Sequence, residues 1–304
     1  MPRDKKFEGD MTAVGTMREP PVCRVANIDR LFEDRALRFE RLAPTNPVSS
    51  YIQFLTDLTK AQHETAQKFK DGFTSLTDEK SQINFGMPII DRTALYRNPL
   101  ANKITKDLFA RIEKITMPEA SMKALAAVKK SKMMQKEIAE NLNDRKLQED
   151  QLPEHIFMLA SLQVLYSLAA SQIDTSNIKP LEQNLCPACG GTHSASQIVN
   201  WPNAEGTRFC SCLYCGTMWN YVRIKCTFCG ETGAVEYGEV ADGPGSILVE
   251  SCRDCGKYCK MTDAQKDVNL DVFADDIGSL ALDLLVKQEG RFVRGAFNPF
   301  LYGF

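Results

Sequence analysis

Ten of the chain's eleven cysteines fall between Cys186 and Cys259, and their spacing is periodic. Eight of them form four C-x-x-C pairs: Cys186/Cys189, Cys212/Cys215, Cys226/Cys229 and Cys252/Cys255. The first two pairs are separated by 22 residues, and so are the last two. Adding 40 to each number of the first set gives the second set. Each pair is followed by glycine: Gly190, Gly216, Gly230 and Gly256. The region is a tandem duplication of one small unit.

The spacing has a chemical reason. A tetrahedral four-sulfur site needs four thiolates about 2.3 Å from one ion. Two residues between cysteines let a tight turn aim both sulfurs at one point. Glycine then lets the backbone leave at positive φ and brings N–H groups towards the sulfurs. Two such knuckles close one site, and the residues between them form a short sheet. Val199, Trp201, Phe209, Met218, Tyr221 and Val222 are candidates for its core. We read Cys186, Cys189, Cys212 and Cys215 as one site, and Cys226, Cys229, Cys252 and Cys255 as the other. Interleaved ligation, with Cys186/Cys189 joining Cys226/Cys229, stays open on spacing alone, as does the choice between zinc and iron. A closed structural site is the usual role of such a set. Cys23, Cys210 and Cys259 read as ordinary thiols, although Cys210 or Cys259 beside a site would serve as a spare or redox-active ligand. His193 reads as a polar loop residue.

Compartment decides whether clustered cysteines mean disulfides or metal. Residues 1–22 contain no apolar core of signal-peptide length and no twin arginine. The longest apolar stretch, Ile156 to Ala170, is too short to span a bilayer and is interrupted by Ser161, Gln163 and Ser167. A soluble cytoplasmic protein with reduced thiols and no membrane insertion is therefore expected, and metal becomes the reading of the cluster. Charge argues against a nucleic-acid partner. The chain carries a net −2. Residues 186–259 hold five basic side chains (Arg208, Arg223, Lys225, Arg253, Lys257) and seven acidic ones (Glu205, Glu231, Glu236, Glu239, Asp242, Glu250, Asp254). That balance is wrong for neutralising phosphates. There is no phosphate-binding glycine loop, H-E-x-x-H motif or nucleophile elbow, so no catalytic residue is assigned and a non-enzyme is expected.

The remainder reads as helix. Residues 1–27 look like a disordered lead-in. Helical periodicity covers Ile28 to Ala43, then a helix begun through Asn46-Pro47 with Tyr51, Leu55, Leu58 and Phe69 on one stripe. Residues 73–98 read as a long ordered loop of the kind that is often functional. Further helices are expected over Ala101–Ile115, from the capping box Thr116-Met117-Pro118-Glu119 towards Asn143, and from Pro153 through Gln172, the last apolar nearly all round. Lys123, Lys129, Lys130, Lys132 and Lys136 read as a solvated face, with an acidic docking partner as the sharper alternative. Val272 to Glu289 is expected as one amphipathic helix stopped by Gly290, with Asp275, Asp276 and Asp283 as solvated surface. The fold class is multidomain α+β: a lead-in (1–27), an N-terminal α-helical domain (28–180), a first module (181–221), and a second module with the C-terminal helix and tail (222–304).

With these residues in view, the chain resembles the formate dehydrogenase accessory (formation) protein family, FdhE. The resemblance lies in Arg38 to Gln62 (RFERLAPTNPVSSYIQFLTDLTKAQ), in the CPACG, CLYCG, RIKCTFCG and ESCRDCGKY segments, and in Ala274 to Leu301 with its Asn298-Pro299-Phe300 tail. It implies a cytoplasmic assembly factor with two rubredoxin-like modules. It also implies binding to the catalytic subunit of a respiratory formate dehydrogenase before that subunit is exported. The eight paired cysteines correspond to the family's motif, and the family favours iron over zinc for the two ions. Cys210 and Cys259 are extra to that motif. Two other readings compete: a rubredoxin-type electron-transfer component and a zinc-ribbon nucleic-acid binder. Self-association is left open by the sequence.

Overall fold

A helix that is apolar on every side is stable only where every side is covered. The computed structural model describes residues 20–73, 86–181, 184–201, 204–239 and 245–302. Its helical part contains, in chain order, α1 (Leu31–Leu42), α2 (Ser49–Phe69), α3 (Arg92–Arg97), α4 (Pro99–Ile112), α5 (Glu119–Lys130), α6 (Lys132–Asn143) and α7 (Leu152–Ala170). α7 is the apolar helix, and its residues from His155 to Ala170 are all buried. It packs against α2, α4, α5 and α6. Two of its polar interruptions are satisfied inside the core. Ser161 shares a hydrogen bond of 2.8 Å with Thr105. Gln163 accepts one of 2.9 Å from Gln62 and donates one of 2.8 Å to the Leu213 carbonyl. Among the described residues no helix is long and apolar enough to cross a membrane.

The duplicated region forms strands β2 (His193–Trp201), β3 (Ala204–Cys212), β4 (Met218–Asn220), β5 (Val235–Gly238), β6 (Ile247–Cys252) and β7 (Lys257–Asp263), with short β1 (Cys23–Arg24) and β8 (Val293–Arg294) contributed from either end of the chain. Each module is a three-stranded antiparallel sheet, β2–β3–β4 and β5–β6–β7. The two modules are fused. β2 pairs parallel with β7, in the register Ser196↔Met261, Gln197↔Thr262 and Ile198↔Asp263. The result is one sheet in the order β1-β4-β3-β2-β7-β6-β5, with β8 beside β7. Asn184 bridges the modules as well: it accepts from the Trp219 indole at 2.6 Å and donates to the Thr227 carbonyl at 3.0 Å. Buried Arg208 on β3 pairs with buried Glu250 on β6 at 2.6 Å. The core of the first module is Ala195, Ile198, Phe209 and Trp219. Of the side chains expected there, Phe209 is buried, Val199, Met218 and Tyr221 are half-buried, and Val222 is exposed; the Trp201 side chain lies outside the described residues.

Charge locks the C-terminal segment onto this frame. The expected single helix is two, α8 (Val272–Gly278) and α9 (Leu280–Glu289), broken at Ser279, and Gly290 at φ +69° ends the second. Asp275 and Asp276 are wholly buried, which corrects their reading as solvated surface. Asp275 accepts a two-toothed contact from Arg38 of α1, its Nε and Nη2 at 2.9 and 2.7 Å. Asp276 faces Arg294 at 2.6 Å and buried Lys260 at 3.5 Å. Asp283 pairs with Lys260 at 2.5 Å and Arg294 at 2.7 Å. Asp276 and Asp283 neutralise two cations from β7 and β8, Lys260 and Arg294, that would otherwise be buried unpaired.

Other expectations are also corrected. Residues 20–27 of the expected disordered lead-in are ordered, with Cys23 pairing with Trp219 across β1 and β4; residues 1–19 lie outside the described residues. The capping box at Thr116 does not form. Pro118 precedes α5 without a side-chain cap, and the helix stops at Ser131, whose hydroxyl caps α6 through the Met134 N–H. Asn46 orders the approach to α2 by accepting from the Val48 N–H and donating to the Gly278 carbonyl, not by capping the helix. In the long loop, residues 74–85 lie outside the described residues, and the remainder forms α3, capped by Asp91. The lysine run is a solvated face with its own partners: Lys123 pairs with Glu119, Lys129 with Glu113 and Lys136 with Glu140.

Burial alone would push the Asp276 carboxyl up, but Arg294 and Lys260 hold it below its ordinary 3.8. A carboxylate with a depressed folded pKa stabilises the native state above the unfolded value and loses that contribution as pH falls through the folded one. Asp276→Asn is therefore expected to cost about 3–5 kcal/mol near neutral pH. In denaturant titrations the gap from wild type should narrow once the pH drops below 3.8. A gap that stays constant down to acid pH would contradict this.

Candidate metal centres

The eight paired cysteines gather in two groups, each within one repeat. The sulfurs of Cys186, Cys189, Cys212 and Cys215 lie within 4.8 Å of one another, as do those of Cys226, Cys229, Cys252 and Cys255. Sulfur separations are 3.7 Å for Cys186–Cys215, 3.5 Å for Cys189–Cys212, 3.8 Å for Cys226–Cys255 and 3.7 Å for Cys229–Cys252. Four sulfurs about 2.3 Å from a tetrahedral ion stand about 3.8 Å apart. Each group could therefore hold one metal ion.

The knuckles explain how the chain reaches this geometry. Gly190, Gly216, Gly230 and Gly256 all have positive φ, between 67° and 82°. Their N–H groups turn back to the carbonyls of Cys186, Cys212, Cys226 and Cys252, at 2.7, 3.3, 3.0 and 2.9 Å. The N–H groups that reach sulfur come from inside the knuckles. Tyr214 donates to the Cys212 sulfur and Phe228 to the Cys226 sulfur, both at 3.4 Å. Gly191 is required by close approach: a Cβ there would stand 2.6 Å from the Tyr214 ring and 3.0 Å from the Cys212 sulfur. The donor set fits a cation. Left as thiols, the first four would share charge unevenly. Hydrogen bonds from its neighbours hold Cys189 well below the ordinary thiol range, while burial pushes Cys186 and Cys212 up. A bound metal cation would take the place of those protons.

The two groups differ in their surroundings. All four cysteines of the first are buried and belong to the same hydrophobic core as the helical bundle. The bundle also grips both knuckles by hydrogen bonds. The Ile90 N–H donates to the Ala188 carbonyl at 2.8 Å, Gln163 donates to the Leu213 carbonyl, and the Tyr214 hydroxyl donates to the Leu142 carbonyl at 2.5 Å. In the second group Cys226 and Cys252 are buried, Cys255 is half-buried and Cys229 is exposed. The second module has a separate small core of Val249, Tyr258, Leu282, Val286 and Phe292.

The remaining thiols stay outside both groups. Cys23, Cys210 and Cys259 are buried, and burial pushes them up to about 12, 11 and 12. Cys210 contacts Asn184 and Cys259 contacts Thr227, both beside the Arg208–Glu250 pair rather than at a metal position. His193 is a buried strand residue with its ring tilted 34° against Phe228, ring centres 5.1 Å apart, not a loop residue. Burial and the nearby arginines bring it down to about 3. Arg92 was not singled out by the sequence. It packs on the Tyr214 ring at 4.6 Å, and only its place in the aperiodic loop before Pro99 pointed that way.

Known proteins match along the whole described chain. Three family models cover it: "FdhE, N-terminal" over residues 20–183, "FdhE, central domain" over 185–223 and "FdhE, C-terminal domain" over 224–301. A Protein FdhE homolog from Rhizobium meliloti is 34% identical over 300 residues, 97% of each chain. Protein FdhE from Escherichia coli is 29% identical over 287 residues, covering 90% of this chain and 89% of its own. The crystal structure of the FdhE protein from Pseudomonas aeruginosa superposes with a TM-score of 0.79 at 26% identity, covering 93% of this chain and 99% of that one.

Unequal burial sets an order of release. Under chelator with a thiol alkylator, Cys229 and Cys255 should be modified before any cysteine of the first group, as read by peptide mass spectrometry. Equal rates for the two groups would contradict the geometry. Gly191→Ala should cost the first group its metal and leave the second loaded, which metal analysis of the purified variant reads directly.

Proposed function

The chain belongs to the FdhE family, and from that premise we propose that it is an assembly factor for a formate dehydrogenase. It binds the catalytic subunit in the cytoplasm, before export, and carries out no catalytic turnover of its own. Two ions sit in its four-cysteine groups: one held by Cys186, Cys189, Cys212 and Cys215, the other by Cys226, Cys229, Cys252 and Cys255. The family resemblance favours iron for both. The observation that carries the reading is the match of all three FdhE family models, in order, across the described chain.

The geometry supports a division of labour consistent with this role. The first ion would fasten the sheet to the helical bundle. The second would stiffen a module that exposes Val222, Ile224 and Val293 and has one ligand cysteine meeting solvent. Thiolate ligation supplies the ion's charge balance and fixes both knuckles of a module. The chain's own side chains provide any surface a client would touch.

The test is an anaerobic pull-down of the tagged chain from its own source, under formate-respiring growth, with proteins identified by mass spectrometry and metals measured on the same eluate. Recovery of a formate dehydrogenase catalytic subunit still carrying its export signal is the expected result. Recovery of RNA, or of a soluble redox partner in its place, would overturn the assembly-factor reading.

A further inference from the structure

We propose that Arg92 is the counter-ion of the first four-cysteine group: its guanidinium balances the thiolates and their ion, and sets how tightly this group holds metal. The inference rests on reading the two cysteine groups as metal sites.

The first group poses a charge problem. Four thiolates around a divalent ion carry a net −2, and around a trivalent ion −1. In the first group all four cysteines are buried, so water does not solvate that charge. A buried net charge is costly unless an opposite charge stands against it. The second group meets solvent at Cys229 and Cys255, where water does this work.

Arg92 is placed to answer the first group's charge. It opens α3, two residues after Ile90, whose N–H is bonded to the Ala188 carbonyl inside the Cys186/Cys189 knuckle. Its guanidinium stands 4.6 Å from the ring centre of Tyr214, inside the Cys212/Cys215 knuckle. The chain just before Arg92 is thus tied to one knuckle of the group, and its guanidinium packs on the other. Its Nη2 donates to the Asn143 carbonyl at 3.4 Å. Its Nη1 is buried and has no hydrogen-bond partner among the described residues. An orphaned, buried guanidinium N–H is expensive. A buried negative cluster and a buried cation with one N–H left over, packed on the same knuckle, resolve each other. The electrostatics agree in direction: burial works against the Arg92 charge, but Cys189, Tyr214, Tyr166 and Cys212 raise its pKa above the usual value.

The test uses the full chain purified anaerobically, with a chelator and iodoacetamide added together and the modification rate of each cysteine followed by peptide mass spectrometry. Arg92→Gln removes the charge and keeps polar bulk. It should speed modification of Cys186, Cys189, Cys212 and Cys215 by about 10–100-fold, the usual cost of losing a residue that supports metal ligands from outside. Rates at Cys226, Cys229, Cys252 and Cys255 should be unchanged. Arg92→Lys keeps the charge and gives up the stacked geometry, and it should stay near wild type. Arg92→Met makes the same neutral comparison without burying an amide, and stands in if the glutamine variant does not fold. A neutral variant that leaves the first group's rates at the wild-type value would overturn the proposal. So would a lysine variant as fast as the neutral ones, which would show a packing role instead. A wild-type chain carrying no metal in either group would overturn the metal reading itself, and is distinguished by metal analysis before chelation.

Discussion

The architecture depends on the burial of four sulfurs at one junction. Cys186, Cys189, Cys212 and Cys215 sit in the continuous core that also holds α7 and the rest of the bundle. The β2–β3 hairpin brings the two knuckles together, with His193 paired to Cys212, and the sulfurs close the junction at its end. Around them, Gln163, Tyr214 and the backbone of Ile90 spend their hydrogen bonds on knuckle carbonyls and on the bundle, so the bundle and the sheet share satisfied polar groups as well as apolar area. A buried polar network of this kind is stable only when every member is satisfied. Losing the sulfur cluster would therefore loosen the bundle as well as the small module.

The second module attaches by different physics. Its sheet continues the first through β2 and β7, and the charge clusters around Arg208, Lys260 and Arg294 fix its position. Arg38 carries the same logic back to the first helix through Asp275 and Asp267. Buried pairs contribute modestly to stability when complete and penalise any alternative that leaves one member unpaired. They therefore specify how the C-terminal helices sit. Two copies of one ligand set end in unequal surroundings, one enclosed and one facing solvent. That difference separates a fastening role from one at the surface.

The local chemistry was legible in the sequence, and the long-range chemistry was not. The knuckles themselves follow from short-range geometry: two residues between thiols, a glycine after them, and a hairpin's length to the next knuckle; that each group closes within one repeat was not fixed by spacing, which also allowed interleaving. The enclosed position of α7 follows from apolar residues on all its faces. The parallel pairing of β2 with β7 joins segments 65 positions apart (Ser196 and Met261) and leaves no periodic trace. Asp275 and Asp276 looked solvated because acidic residues on an amphipathic helix usually are; their partners Arg38 and Arg294 lie 237 and 18 positions away. The break at Ser131 falls inside a run of good helix formers, where propensity alone predicts continuation, whereas the break at Ser279 follows Gly278, a weak point that the apolar periodicity overrode. The duplication itself concealed the difference between the two sites, since identical ligand spacing says nothing of what covers each one.

The central claim is that each repeat holds one ion in a shell of four sulfurs. X-ray absorption at the metal edge, with metal-to-protein stoichiometry measured on the same anaerobic sample, tests it most directly. The account predicts two ions per chain, each with four sulfur neighbours at about 2.3 Å and no second metal nearby. Nitrogen or oxygen in the first coordination shell, a short metal–metal distance, or a metal-free chain with its paired cysteines oxidised to disulfides would contradict it.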